Sequence, residues 1–317
     1  MKALILAGGG IRDKALGEAF VRNSVSTAFV TGEQAAECLK SSGADLVFSL
    51  EFNRALALSC KEHGIRYACL SAASVAPMFF HPAVLSGEVW AFSTEAFLIR
   101  KLKKLGAGNA YYEAVSLPEE RDPWIRGNAI FDRTWSFLDA PTRRYLEGLM
   151  DAAAVSPRAD VIYKGISPEA LDMLEIASDF GSVSGQDMKA SRRYYLSDCL
   201  LKCQVIVREQ KKIEELCASL QPEESFAVRR FDVTGTSSLF AMESGKLLFS
   251  DGAGLPEGFI PGEDYVRYED GEELARLWHE LKGESGRAAE IASSGRQKAG
   301  KYSPEVFVRR LLDKMSG

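Results

Sequence analysis

Six short, almost continuously apolar segments fill the first third of the chain: residues 3–7, 26–31, 43–50, 65–71, 87–93 and 109–115. An apolar run without alternation reads as a strand buried on both faces. Between the runs lie helical stretches, Asp13 to Arg22, Gly32 to Ser41, Asn53 to His63 and Glu95 to Leu105. Gly64 and Gly106 stand just past the last two, where a left-handed residue closes a helix. Strands separated by helices of this length imply a parallel sheet covered on both sides. Right-handed crossovers then make it a doubly wound, Rossmann-like domain.

At 317 residues the chain is long enough for two domains. The composition changes at Pro118 to Pro123, "PEERDP", which places a boundary near residue 120. Residues 1–120 form the first lobe and 121–317 the second. The second lobe starts with "WIRGNAIFD" (124–132), then carries a helical insertion over about 138–220. Strands return in "SFAVRRFDV" (225–233), "KLLFSD" (246–251) and "DYVRYED" (264–270). Helices over 272–282, 287–301 and 304–315 end it, the last one expected to pack back on the first lobe. The fold class is therefore α/β, two Rossmann-like lobes, the second reduced and helix-rich.

The net charge of −5 argues against a nucleic-acid or anionic-membrane partner. No window supplies the roughly 20 apolar residues of a membrane span. Leu4 to Ala7 runs straight into glycines, unlike a secretory leader, so a cytoplasmic location is expected. Cys199 and Cys203 share a helix face, but no further ligand stands near them, and His63, His81 and His279 form no cluster. No metal or bound cofactor is expected.

The opening "MKALILAGGGIRDK" poses a sharper question. Three glycines, Gly8 to Gly10, follow the first strand, with Arg12 and Lys14 behind them. A sugar-nucleotide pyrophosphorylase would want "G-x-G-T-R" and a lysine about ten residues on. Here Ile11 and Arg12 follow Gly10, and Lys14 comes too early. The glycines read instead as a tight strand-to-helix turn, using backbone freedom that only glycine has.

Four segments, in order, resemble the CgeB-like (spore-maturation type) glycosyltransferase family. They are "ADLVFSLEFNRALALSCKEHGIRYACLS", "GEVWAFSTEAFLIRKLKKLGAGNAYYEAVSLPEERD", "GNAIFDRTWSFLDAPTRRYLEGLMDAA" and the stretch from "SLFAMESGKLLFSDG" through "PGEDYVRYEDGEEL" to "KYSPEVF". The resemblance implies two lobes in the GT-B arrangement, with a nucleotide-sugar, UDP- or GDP-linked, held between them and an acceptor it does not name. It implies donor and diphosphate contacts from Gly127, Asn128, Arg229, Arg230, Thr236, Ser237, Ser238, Glu243, Gly245 and Lys246. A helix beginning after "TGTSS" offers backbone N–H groups to a diphosphate, and Arg229, Arg230 and Lys246 offer charge. Gly8, Gly9, Gly10, Arg12 and Ser74 would form the cleft loop.

Two positions depart from the family pattern. The acid expected after the fourth strand is replaced by Ala72 and Ala73, leaving Ser74 and His81 as the nearest candidates for a base. The acid expected to hold the ribose falls at Leu239 or Phe240, with Glu243 one turn further on. Sugar transfer needs a cradle for the leaving diphosphate, a cleft that excludes water and, for inversion, a base on the acceptor. The expected function is a metal-independent glycosyltransferase. The alternative is a non-catalytic relative of the same fold that binds or scaffolds.

Overall fold

The computed structural model describes residues 1–6, 10–31, 35–50, 52–71, 82–94, 99–100, 102–103, 106–118, 213, 215–220, 224–229, 232, 234–252 and 254–316. The first sheet has six parallel strands: β1 (Lys2–Leu6), β2 (Ser26–Val30), β3 (Leu46–Leu50), β4 (Arg66–Ser71), β5 (Val89–Ser93) and β6 (Ala110–Tyr112). Their spatial order is β2-β1-β3-β4-β5-β6. The winding reverses between β1 and β3, and in such sheets ligands bind beyond the carboxyl ends of the strands at the reversal.

The helices of this lobe form for local reasons. In α1 (Ile11–Arg22), Leu16, Ala19 and Phe20 recur on one face and are buried. In α3 (Arg54–His63), the Asn53 side chain accepts the Leu56 N–H at 3.1 Å, and Gly64 closes the helix at φ 63°. With α2 (Ala35–Ser42), α3 packs on one face of the sheet, around Leu39, Leu56, Cys60 and Tyr67. Helix α1 packs on the other face.

A second, smaller parallel sheet follows: β7 (Phe226–Arg229), β8 (Leu247–Ser250) and β9 (Val266–Arg267), in that order. Helix α4 (Thr236–Glu243) crosses from β7 to β8, and α5 (Gly271–Gly283) and α6 (Ser285–Ala299) follow β9. Asp270 caps α5 through the Glu273 N–H at 2.9 Å. Phe226, Phe249 and Trp278 pack together, with ring centroids 4.9–5.5 Å apart.

The terminal helix α7 (Pro304–Ser316) returns to the first sheet. Phe307, Val308, Leu311 and Met315 join the core of α1, β1, β3, β4 and β5. Phe307 meets Phe48 and Phe92 edge-on, at 6.4 and 5.7 Å. Glu113 draws in Arg310 and Lys314 at 3.2 and 3.5 Å from just beyond β6.

The alternating run 264–270 gives only a two-residue strand. Its first residue, Asp264, is 1 % exposed, and its backbone N–H is taken by the Ile260 carbonyl in a turn. Its carboxylate meets the Ile260 N–H, Ser294 and Lys298, and Tyr265 makes an isolated bridge to Pro261. The expected helix at 287–301 begins at Ser285 and ends at Ala299, where a 3₁₀ turn takes over. Of the expected insertion, Ile213 and Leu220 are seen, in the core of the second sheet. Residues 215–219 are also described, with Leu216 and Cys217 against the same core. Residues 138–212 and 214 of the insertion and the expected strand 124–132 lie outside the described residues.

Candidate functional site at the carboxyl ends of the strands

The turn from β7 into α4 lies at the carboxyl end of the second sheet. Gly235 takes φ 66°, a left-handed conformation open mainly to glycine. A side chain there would also run into the Gly254 carbonyl, so this loop and the loop after β8 touch backbone to backbone. The Asp232 carboxylate folds over the start of α4. Its Oδ2 accepts the Ser238 N–H at 2.7 Å and its Oδ1 accepts the Thr234 hydroxyl at 3.1 Å. A carboxylate is stable there because the helix start carries orphan N–H groups and positive potential.

The exit from the first sheet runs past this turn. The Leu117 N–H points at the Thr236 carbonyl at 3.5 Å, and the Ser116 N–H donates to the Tyr302 carbonyl at 2.7 Å. Buried hydroxyls mark the carboxyl end of the first sheet: Ser49, Ser71 and Ser93, each at most 1 % exposed. The Ser49 and Tyr67 hydroxyls are 2.6 Å apart, and the Tyr67 oxygen also accepts the Asn53 N–H at 2.8 Å. Burial raises the Tyr67 pKa well above the ordinary phenol value, so the group stays neutral and serves as a brace.

The structure divides the expected donor residues. Arg229, Thr236, Ser237 and Ser238 gather at the carboxyl edge of the second sheet. The Arg229 guanidinium donates to the Val228 carbonyl at 2.7 Å. Thr236 and Ser238 are buried, and the Thr236 hydroxyl pairs with that of Thr234 at 3.1 Å. Their hydroxyls face inward, which leaves only half-exposed Ser237 with a hydroxyl on the accessible side.

Glu243, Gly245 and Lys246 do not belong with them. They sit at the far end of α4, where the chain enters β8, about 10 Å along the helix axis from Thr236. Glu243 accepts a hydrogen bond from the Ser116 hydroxyl, Gly245 closes the helix at φ 82°, and Lys246 is exposed at the amino edge. The turn from helix to strand reverses the chain, so closeness in sequence does not bring these residues to one site. Gly127, Asn128 and Arg230 lie outside the described residues.

In the cleft loop, Gly10 has φ −76°, ordinary extended backbone, so its expected conformational freedom is not used. It starts α1, and its N–H donates to Asp13 Oδ2 at 3.2 Å. Arg12 Nε donates to the Pro118 carbonyl at 3.0 Å, fixing the exit from the first sheet. Gly8, Gly9, Ser74 and His81 lie outside the described residues.

Asp232 is the residue sequence reasoning missed. A signal was present, since aspartate just before a helix is a capping residue, but "FDV" also continues an alternating strand. Among the described residues no group of three potential metal ligands occurs, and no helix is long and apolar enough to cross a membrane.

No family model matches the chain, and no curated protein matches it. Among solved structures it is similar to HepE of Anabaena in complex with UDP and glucose, at 13 % identity, covering 100 % of this chain and 99 % of that one, with a TM-score of 0.47. The HepE complex with UDP-glucose gives 12 % identity, the same coverage and a TM-score of 0.46. Sucrose-phosphate synthase from Thermosynechococcus elongatus gives 12 % identity, 99 % and 98 % coverage and a TM-score of 0.45.

Proposed function

We propose that the chain is a glycosyltransferase-like protein that binds a nucleotide-sugar, UDP- or GDP-linked, at the start of α4. The observation that carries this reading is the Asp232 carboxylate on the Ser238 N–H at 2.7 Å. The helix start already holds an anion, and it lies against the exit from the first sheet, the kind of crevice two Rossmann-like lobes offer a nucleotide. A diphosphate would take the N–H groups of Thr236 and Ser237, which have no acceptor within the helix. The order of the four segments that resemble CgeB-like transferases supports a sugar as the group carried.

Transfer breaks the bond from the sugar anomeric carbon to the diphosphate oxygen while the acceptor hydroxyl oxygen forms a new one to that carbon and gives up its proton to the leaving diphosphate. The leaving diphosphate gains negative charge, which fixed N–H donors stabilise without reorganising. The second reading, a binding protein without transfer, is favoured by Ala72 and Ala73, which stand where the family pattern places an acid.

Calorimetric titration with UDP and with GDP tests the proposal. Saturable heat with either is expected; none with both contradicts it. Saturable binding without turnover of the linked sugar favours the second reading.

A further inference from the structure

A second site stands at the opposite end of the smaller sheet. A cavity of about 440 Å³ opens between the amino ends of β7 and β8 and the α5–α6 corner. This is within the range of about 300–1,000 Å³ common for small-molecule sites. Phe226, Leu247 and Leu281 give it an apolar wall, and Ala288, Ala289 and Ala292 keep α6 low beside it. Lys282 and Arg296 supply positive charge, and no acidic residue is among its described lining.

These two cations differ from their neighbours. Arg276 pairs with Glu273 and Glu280, and Arg287 with Glu280 and Glu284. Lys282 and Arg296 pair with no carboxylate among the described residues, although the acids of α5 stand close in sequence. The Arg296 side chain lies over Gly245, 3.8 Å from where a Cβ would stand, so the missing side chain leaves room for the guanidinium. The hydroxyls of Ser225, Ser285 and Ser293 complete the lining. Ser285 opens α6, whose preceding residue, Glu284, makes no side-chain cap.

We propose that this cavity binds a small organic phosphate. The phosphate would sit on Arg296 and Lys282, and a polar body of hexose or nucleoside size would lie against the serines and the alanine floor. A guanidinium is suited to phosphate because it presents parallel N–H donors. The site is separate from the start of α4 and does not depend on what binds there.

The test is a titration of the full chain, followed by ³¹P NMR, with glucose 6-phosphate, AMP and inorganic phosphate in turn. Glucose 6-phosphate or AMP should saturate, more tightly than inorganic phosphate. Arg296→Gln should weaken that binding at least tenfold, and Ala289→Phe, which fills the cavity from an exposed position, should abolish it. Arg276→Gln, on a paired arginine, should leave it unchanged. Circular dichroism of each variant should match that of the parent. No saturation by either organic phosphate, inorganic phosphate binding equally well, or full binding in both Arg296→Gln and Ala289→Phe overturns the proposal.

Discussion

Asp232 Oδ2 stands 2.7 Å from the Ser238 amide nitrogen, so one carboxylate of the chain occupies the start of α4. A nucleotide arriving there competes with it. Asp232→Asn keeps a hydrogen-bond acceptor but removes the charge. UDP affinity should rise about three- to tenfold, from the worth of one charge at a helix terminus. Unchanged affinity by calorimetry would place the nucleotide elsewhere.

Tyr67 braces the carboxyl end of the first sheet through Ser49 and Asn53. Tyr67→Phe keeps the packing and removes the hydroxyl that meets the Asn53 N–H and the Ser49 hydroxyl. Unfolding should show a loss of about 1–3 kcal/mol, and Ser49→Ala in the same background should cost less than it does alone. Equal costs in both backgrounds would mean that the two hydroxyls are not coupled.

Burial opposes ionisation of Asp264, yet the bonds from Lys298, Ser294 and the Ile260 N–H outweigh it and hold its pKa below the ordinary value of 3.8. A carboxyl that binds its proton less readily when folded stabilises the fold at pH values above 3.8, and this contribution fades as pH falls through the lower folded value. Asp264→Asn should therefore be less stable than the parent at pH 7, by about 1.5–3 kcal/mol, with a gap that narrows below pH 4. A constant gap between pH 7 and pH 3 would contradict this.

Burial pushes the Cys60 thiol up to about 12. At pH 8 its thiolate fraction is then on the order of one in ten thousand. In a brief iodoacetamide pulse on the native chain, mass spectrometry should find Cys60 unlabelled while half-buried Cys38 and Cys217 react first. Early labelling of Cys60 would mean that α3 opens readily.

The first sheet was legible because its strands are buried on both faces, and double burial writes itself into sequence as plain apolar runs such as "LVFSL" in β3. The two caps of α3, Asn53 and Gly64, were legible for an equally local reason. The candidate site was less so. Thr236, Ser237 and Ser238 were found because a helix start has a local signature. Which hydroxyls face inward depends on packing against β7 and β8, which no local pattern records. Lys246 was drawn into the site by nearness in sequence to α4, though the turn at Gly245 carries it to the other edge of the sheet. Asp232 was hidden by the strand pattern it interrupts.

The most direct test is an amide-resolved NMR titration of the isotope-labelled chain with UDP. The account predicts saturable shifts at the Thr236, Ser237 and Ser238 amides, with the Ser238 signal reporting loss of its bond to Asp232. Saturable shifts elsewhere with these three unmoved, or no saturable shift at all, would contradict it.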